Sequence, residues 1–214
     1  MEIKKRAILK DSLEWLYCAL IALVLAIAIR YFIGTPTVVK QSSMYDTLES
    51  NQRLILNRWT RTVNGKVNRG DIITFESPSR ISLRDDEVDL KHPEAIYLNR
   101  TMSKIDKFKY SVLEINKTSY IKRVIGIAGD HIIIRNGNVY LNGEKLEENY
   151  LLEGATTDGG NFYDVIVPDG YVYVMGDNRE KSTDSRAFGC IPLEKVDSKI
   201  LLRFWPLQTL GKVM

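Results

Sequence analysis

The sequence predicts a mainly β protein, in which an antiparallel β catalytic domain follows one N-terminal transmembrane helix. An apolar run of about 20 residues lies at positions 13–33 and is long enough to cross the hydrocarbon core of a bilayer. Short segments rich in β-branched and aromatic residues follow it, separated by turn-forming Gly, Asn, Asp and Pro. No long amphipathic helical pattern appears after residue 34.

The apolar run is best explained as a membrane anchor. From Trp15 to Ile29 it contains no charged residue. A cleavable secretory signal is one alternative, because Ala26-Ile27-Ala28 resembles a cleavage site, although apolar residues continue past it to Ile33. A buried core helix is the other, but such a helix rarely lacks a polar face over this length.

Basic residues before the run predict its orientation. Lys4, Lys5, Arg6 and Lys10 precede it, and positive charges mark the cytoplasmic side of a span. We therefore expect residues 1–12 to form a cytoplasmic tail, residues 13–33 to cross the plasma membrane and residues 34–214 to be extracytoplasmic. Residues 79–118 are polar, charged and irregular, and we expect them to form a variable insertion on the surface.

Five segments beyond the anchor have the composition of β-strands. They are residues 71–75, 120–127, 131–135, 139–141 and 171–175. Asn136-Gly137 separates two of them, and this dipeptide is a strong signal for a tight hairpin. The pattern favours antiparallel neighbours joined by short turns.

Composition argues against several other functions. A net charge of +3, with acids interspersed among the basic residues, gives no basic stripe, so we expect no nucleic acid partner. Cys18 lies in the apolar run and Cys190 in a distant polar stretch, which excludes a disulfide framework. His92 and His131 are isolated, so we expect no metal site and no cofactor.

The candidate nucleophiles outside the membrane are serines and Cys190. The residue available as general base distinguishes between the known types of catalytic site. No histidine lies in a recognisable partner motif, which leaves a Ser–Lys pair among known serine hydrolases. Ser119 and Lys122 have SxxK spacing, but that spacing brings side chains together on a helix. In the strand predicted here, an odd separation puts them on opposite faces. A partner for Lys122 must therefore come from elsewhere in the chain.

Four motifs in order resemble those of bacterial type I signal peptidases. They are Ser42-Ser43-Met44-Tyr45-Asp46-Thr47-Leu48 (similar to SMxPTL), 69–75 (RGDIVxF), 120–130 (YIKRVIGLPGD) and 175–189 (GDNRxxSxDSRxFG). Together with the anchor they cover most of the chain outside the insertion. The resemblance implies a serine endopeptidase that cleaves N-terminal signal peptides from exported preproteins, after small residues such as Ala.

The resemblance also implies roles for individual residues. Ser43 is the implied nucleophile and Lys122 the general base, while Ser182 is implied to hydrogen-bond and orient the amine. Asp184 and Arg186 are implied to form a supporting ion pair. The implied partners are signal peptides of secreted preproteins, the lipid bilayer and, by proximity, the export translocon.

Around the nucleophile, the backbone N–H of Ser43 is expected to donate to the oxyanion. The second donor is open, because Gln41 stands where some family members have a serine, and Met44 is implied to lie beside the substrate pocket. Asp46 and Ala128 replace prolines of the family pattern. A carboxylate at position 46 close to the dyad would raise the pKa of the base and weaken it.

The physical requirement of a Ser–Lys pair is a neutral amine. The ordinary pKa of lysine is about 10.4, so activity near pH 7 to 8 needs a fall of roughly 3 units, or about 4 kcal/mol against the ammonium. Burial among apolar groups supplies such a shift, and Ile121, Val124 and Ile125 flank Lys122. Two alternatives remain open: a catalytically weak or inactive anchored homologue that binds export clients, and a Ser–Lys protease dedicated to one substrate such as a pilin or spore-coat protein.

Overall fold

A computed structural model of the protein describes residues 2–59, 66–98 and 101–213. Its first element is helix α1 (Glu2–Ala28), which continues into a π-helical turn at Ile29–Ile33. The segment Lys10–Ile33 is long and apolar enough to cross a membrane, and none of it is buried against the rest of the protein. The alternative of a buried core helix is therefore wrong.

The described residues after α1 form two antiparallel sheets, and the predicted mainly β fold is confirmed. The strands are β1 Gly34–Val38, β2 Arg53–Asn57, β3 Ile72–Glu76, β4 Ser119–Ile127, β5 His131–Arg135, β6 Asn138–Leu141, β7 Glu144–Lys145, β8 Asp164–Ile166, β9 Tyr171–Met175, β10 Ile191–Pro192 and β11 Val196–Trp205. Two further helices are α2 (Lys104–Ser111) and α3 (Ser185–Phe188).

The strand order places the two longest strands, β4 and β11, on either side of β3 at the centre of the larger sheet. Seven strands run in the order β1-β2-β11-β3-β4-β9-β10, and four run in the order β7-β6-β5-β8. All pairs within these sheets are antiparallel. Apolar residues of both sheets pack together between them, and β3 and β4 lie in the interior of the larger sheet.

The predicted hairpin is present. Arg135 pairs with Asn138, so Asn136 and Gly137 are the two turn residues between β5 and β6. Their φ angles are 50° and 75°, the left-handed conformation that a type I′ turn requires at both positions.

The segment 79–118 is more ordered than its composition suggests. It contains α2, whose N-terminus is capped by the Ser103 hydroxyl accepting from the Asp106 N–H. Leu83 and Ala95 are buried in two different hydrophobic clusters of the domain. The segment is therefore packed into the fold at these points as well as exposed at others.

Candidate active site

A short turn between β1 and β2 holds Ser43. The Tyr45 N–H donates to the Ser42 carbonyl (3.1 Å) and the Leu48 N–H to the Met44 carbonyl (2.8 Å), which closes the chain on itself. Met44 and Leu48 are buried in a hydrophobic cluster with residues of β2 and β3. The buried side chains of Met44 and Leu48 fix the turn against the larger sheet, with Ser43 immediately before Met44.

Lys122 reaches Ser43 from β4. It lies opposite Ile73 of β3, and its side chain is only 1% exposed. The Lys122 Nζ and Ser43 Oγ atoms are 2.7 Å apart, a hydrogen-bonding distance. The structure thus brings together two residues far apart in sequence, as the motif resemblance implied.

Burial makes the Lys122 amine a weaker base than a free lysine. Desolvation is the largest effect and lowers the pKa of Lys122 to about 8, since a buried ammonium loses its hydration. The Asp184 and Asp177 carboxylates act in the opposite direction, while the Arg186 guanidinium lowers the pKa further. Asp46, the charge of concern in the sequence, is exposed and is not among the groups that shift this pKa.

The turn after β9 supports the turn of residues 42–48, which holds the candidate nucleophile Ser43 and is called the nucleophile turn below. The support comes through hydrogen bonds to backbone carbonyls. The Asn178 N–H donates to the Ser43 carbonyl (3.0 Å), and the Asn178 amide donates to the Ser42 carbonyl (3.2 Å). A Cβ atom placed on Gly176 would collide with both the Ser43 carbonyl and Ser182. Sequence reasoning assigned neither Gly176 nor Asn178 a role, because contacts to a backbone carbonyl leave no signature in the partner sequence.

Asp177 links the same turn to β4. Its carboxylate forms two hydrogen bonds with Arg123 (2.9 and 2.7 Å) and accepts one from the Thr47 hydroxyl (2.5 Å). The Arg123 guanidinium lies 4.0 Å from the centroid of the Tyr150 ring. This buried network joins the end of the nucleophile turn to the strand that carries the candidate base.

Asp184 and Arg186 form the ion pair that the sequence predicted. Arg186 donates to both carboxylate oxygens of Asp184, at 2.8 and 2.9 Å. Asp184 also accepts from the Gly176 N–H at 3.0 Å, and Arg186 donates to the Arg179 carbonyl at 2.6 Å. The pair therefore fixes the backbone of residues 176–186, consistent with a structural role.

Ser182 differs from the expectation. Its hydroxyl oxygen is buried but has no hydrogen-bond partner among the described residues. The predicted hydrogen bond from Ser182 to the Lys122 amine is therefore not formed in this structure, although Ser182 and the Ser43 carbonyl both lie against Gly176.

Two clefts meet at Ser43. The larger has a volume of about 490 Å³ and is lined on one side by apolar residues that include Met44, Leu48 and Ile121. The smaller, of about 370 Å³, is lined by Ser43, Lys122 and other polar residues. Gln41 is exposed and lines both clefts. An extended peptide crossing Ser43 would occupy one cleft on each side of the bond under attack.

Comparison with known proteins gives consistent matches over most of the chain. A solved signal peptidase I from Enterococcus faecalis V583 aligns with 64% of this chain and 97% of its own, at 24% identity and a TM-score of 0.40. Signal peptidase I S of Bacillus subtilis (strain 168) is 32% identical over 212 residues, which cover 95% of this chain and 94% of that protein.

A protein from Synechocystis gives a similar result. Probable signal peptidase I-2 of Synechocystis is 31% identical over 190 residues, covering 89% of this chain and 72% of that protein. Residues 12–205 match the sequence model of one family, described as signal peptidase, peptidase S26. The match spans the anchor, the nucleophile turn, the strand of Lys122 and the turn after β9. The chain belongs to the signal peptidase family, peptidase S26.

Proposed function

We propose that this protein is a membrane-bound serine endopeptidase that removes N-terminal signal peptides from exported preproteins by a Ser–Lys dyad. The observation that carries the proposal is the 2.7 Å contact between Ser43 Oγ and the buried Lys122 Nζ. A lysine whose pKa is lowered to about 8 has a substantial neutral fraction near neutral pH, as a general base needs.

The geometry supports the following sequence of steps. Neutral Lys122 takes the proton of the Ser43 hydroxyl as its oxygen attacks the carbonyl carbon before the cut. The developing oxyanion accepts a hydrogen bond from the Ser43 backbone N–H, with Gln41 as the candidate second donor. Lys122 then gives its proton to the leaving amine, and the acyl-enzyme ester forms as the peptide bond breaks. Water, deprotonated by Lys122, hydrolyses the ester and frees Ser43.

The remaining predicted residues support this chemistry. Met44 lines the larger cleft, where it can contact the small side chain before the cut. Asp184 and Arg186 hold the turn that carries Asn178, and Asn178 in turn holds Ser43. These residues position the reacting groups without touching the substrate carbonyl.

The membrane placement completes the proposal. With residues 13–33 across the plasma membrane and residues 1–12 in the cytoplasm, the β domain lies on the outer side, where the export translocon releases its clients. A preprotein whose apolar segment is in the same bilayer presents its cleavage site to a tethered enzyme. Tethering raises the effective concentration of the two partners.

The test is cleavage of a labelled preprotein by the full chain in detergent, compared with Ser43→Ala, Lys122→Ala and Lys122→Arg. We expect cleavage at the signal junction by the unmodified protein and none by the three variants, since a guanidinium stays protonated. Lys145→Ala, at an exposed position in β7, is the matched control and should cleave normally.

Two outcomes would contradict the proposal. Binding of the preprotein without cleavage would favour an anchored homologue that retains export clients. Cleavage that survives Ser43→Ala would exclude the dyad.

A deletion strain tests the range of substrates. Accumulation of many precursors would support a general signal peptidase, whereas accumulation of one precursor would indicate a dedicated protease.

A further inference from the structure

Both clefts at Ser43 are lined by the serine, but only the smaller one is also lined by Lys122. The residues lining the larger cleft include Ser43 and extend to Arg30 at the end of the anchor, whereas the smaller cleft includes both Ser43 and Lys122. This asymmetry assigns a direction to a bound peptide, and the assignment rests on the proposed function.

The direction follows from where the proton must go. The leaving amine, which belongs to the first residue after the cut, has to receive a proton from Lys122 and so must face the cleft that contains Lys122. The acyl half then occupies the larger cleft. That cleft opens toward Arg30, the side from which a membrane-embedded signal peptide would arrive.

The smaller cleft carries positive charge. Its lining includes Lys181 and Lys40, which are both exposed, and Lys40 stands at the boundary because it lines the larger cleft too. The other side chains of the smaller cleft apart from Lys122 are neutral. No carboxylate lines this cleft in the part of the chain that the structure describes. The acids nearest in sequence to the two lysines, Asp46 and Glu180, are exposed and lie outside the lining. Asp184, which follows the lining residue Thr183, is buried and paired with Arg186.

The two lysines are available to a ligand. Neither Lys40 nor Lys181 forms an ion pair with another residue in the described ranges. A carboxylate placed between them would interact with both, whereas an ammonium group would be repelled by both. The position of Lys181 is also defined, because its backbone N–H donates to the Asn178 carbonyl within the turn that holds Ser43.

We propose that Lys40 and Lys181 are specificity-determining residues that favour preproteins with an acidic residue in the first few positions after the cut. The recognised chemistry is a carboxylate side chain on the mature protein, immediately downstream of the scissile bond. A basic residue in the same positions is disfavoured.

The experiment uses preproteins with one signal peptide and with Asp, Ser or Lys at the second or third position after the cut. For the unmodified full chain in detergent at low ionic strength, we expect kcat/KM to be roughly fivefold higher for Asp than for Lys at the more responsive position. Added salt, at about 0.5 M, should shrink the ratio because the charges are exposed and therefore screened.

Matched variants locate the effect. The double variant Lys40→Gln with Lys181→Gln should bring the Asp-to-Lys ratio close to 1, whereas Lys40→Arg with Lys181→Arg should keep it. Lys145→Gln, in the other sheet, should leave the ratio unchanged. The melting temperature of each variant reports whether it is folded.

The outcomes separate this inference from the proposed function. Equal kcat/KM for all substrates, or a ratio that survives the double glutamine variant, would overturn the inference while leaving the endopeptidase in place. Absence of cleavage with every substrate would overturn the proposed function and the inference with it.

Discussion

Lys122 places an amine where a charged amine is unfavourable. Its side chain is almost fully buried, and the loss of hydration outweighs the attraction of Asp184 and Asp177. With a pKa of about 8, about a tenth of the molecules carry the neutral amine at pH 7, compared with well under a thousandth for a solvated lysine. The environment of Lys122 thus provides the neutral amine that the proposed mechanism needs.

The pH dependence of the reaction should follow this group. Because only neutral Lys122 accepts the proton, we expect kcat/KM to rise with pH through about 8 and to level off above it. The measurement is a pH profile of kcat/KM for a preprotein substrate in detergent. A rising limb centred near 10.5, the ordinary value, would contradict the role of burial.

The same burial should destabilise the fold. Below pH 8, Lys122 is protonated in both the folded and the unfolded protein, so the burial of its ammonium lowers the free energy of unfolding by the full amount. As the pH rises from about 8 toward 10.5, the folded protein loses this proton first and the destabilisation disappears. We expect Lys122→Met to raise the free energy of unfolding by up to about 3 kcal/mol at pH 7 and to lose this advantage above pH 10. Denaturant unfolding in detergent at a series of pH values measures this difference in the free energy of unfolding.

Lys145→Met, at an exposed site in β7, serves as the comparison for that experiment. It should give no gain that depends on pH between 7 and 10.5. A Lys122→Met variant whose stability tracked the unmodified protein over the whole range would show that the ammonium is well accommodated in the native state.

Two turns, rather than a single residue, determine where Ser43 lies. The turn of residues 42–48 and the turn after β9 touch through the Asn178 hydrogen bonds and the close approach of Gly176 to the Ser43 carbonyl. An alanine at position 176 would push the two turns apart, because its Cβ meets backbone on one side and Ser182 on the other.

We therefore expect Gly176→Ala to lower kcat by at least tenfold and to reduce stability by about 2 kcal/mol through overpacking. Preprotein cleavage and thermal unfolding in detergent measure the two effects. Gly143→Ala is the control for activity, since nothing lies within 4 Å of a Cβ there. Gly143 has a positive φ and Gly176 does not, so the stabilities of the two variants are not compared. Equal activity of the two variants would show that the close approach is unimportant.

The strands that were predicted from the sequence are runs of β-branched and aromatic residues bounded by turn-forming residues. β5 and β9 were predicted with the observed bounds, and β3, β4 and β6 to within one residue at each end. β11, the longest strand, was missed because three irregularities in its pairing break the alternation of inward and outward side chains. β2 was missed too, and it pairs with β11 across two of these irregularities.

The candidate site was predictable to the extent that motifs name side chains. Ser43 and Lys122 were identified by resemblance and are in contact. The Asn178 contacts and the Arg123–Asp177 pair were not assigned, because they depend on tertiary geometry. For Ser182 the motif implied a hydrogen bond that the side-chain geometry does not form.

At the scale of the molecule, the end of the anchor contacts the segment 79–118 at Leu113 and Glu114. Glu114 lies 3.6 Å from the Arg30 guanidinium at the end of the anchor and forms an ion pair with buried Arg58 after β2. Arg30 also donates to the Leu113 carbonyl at 3.3 Å. Leu113, Glu114 and Arg30 line the larger cleft together, so these contacts shape the cleft as well as the junction.

Glu114→Gln should loosen this junction. Removing the carboxylate from a guanidinium that is 1% exposed leaves a buried charge less well compensated, and we expect a loss of about 2 kcal/mol in stability with a higher KM for preprotein. Thermal unfolding and steady-state kinetics test both effects. Asp86→Asn, in a surface pair with Arg84 at 3.8 Å, should change neither quantity. An unchanged KM in Glu114→Gln would separate the junction from substrate binding.

The helix that we propose to cross the bilayer continues into the sheet with no loop between them. The Gly34 N–H, at the start of β1, donates to the Ile29 carbonyl, and the Thr35 hydroxyl donates to the Arg30 carbonyl at 3.1 Å. β1 is then held to β2 over its whole length. A helix tilts when the thickness of its membrane changes, and here the attached domain must tilt with it. The lipid composition would thereby set the angle at which Ser43 faces the membrane surface.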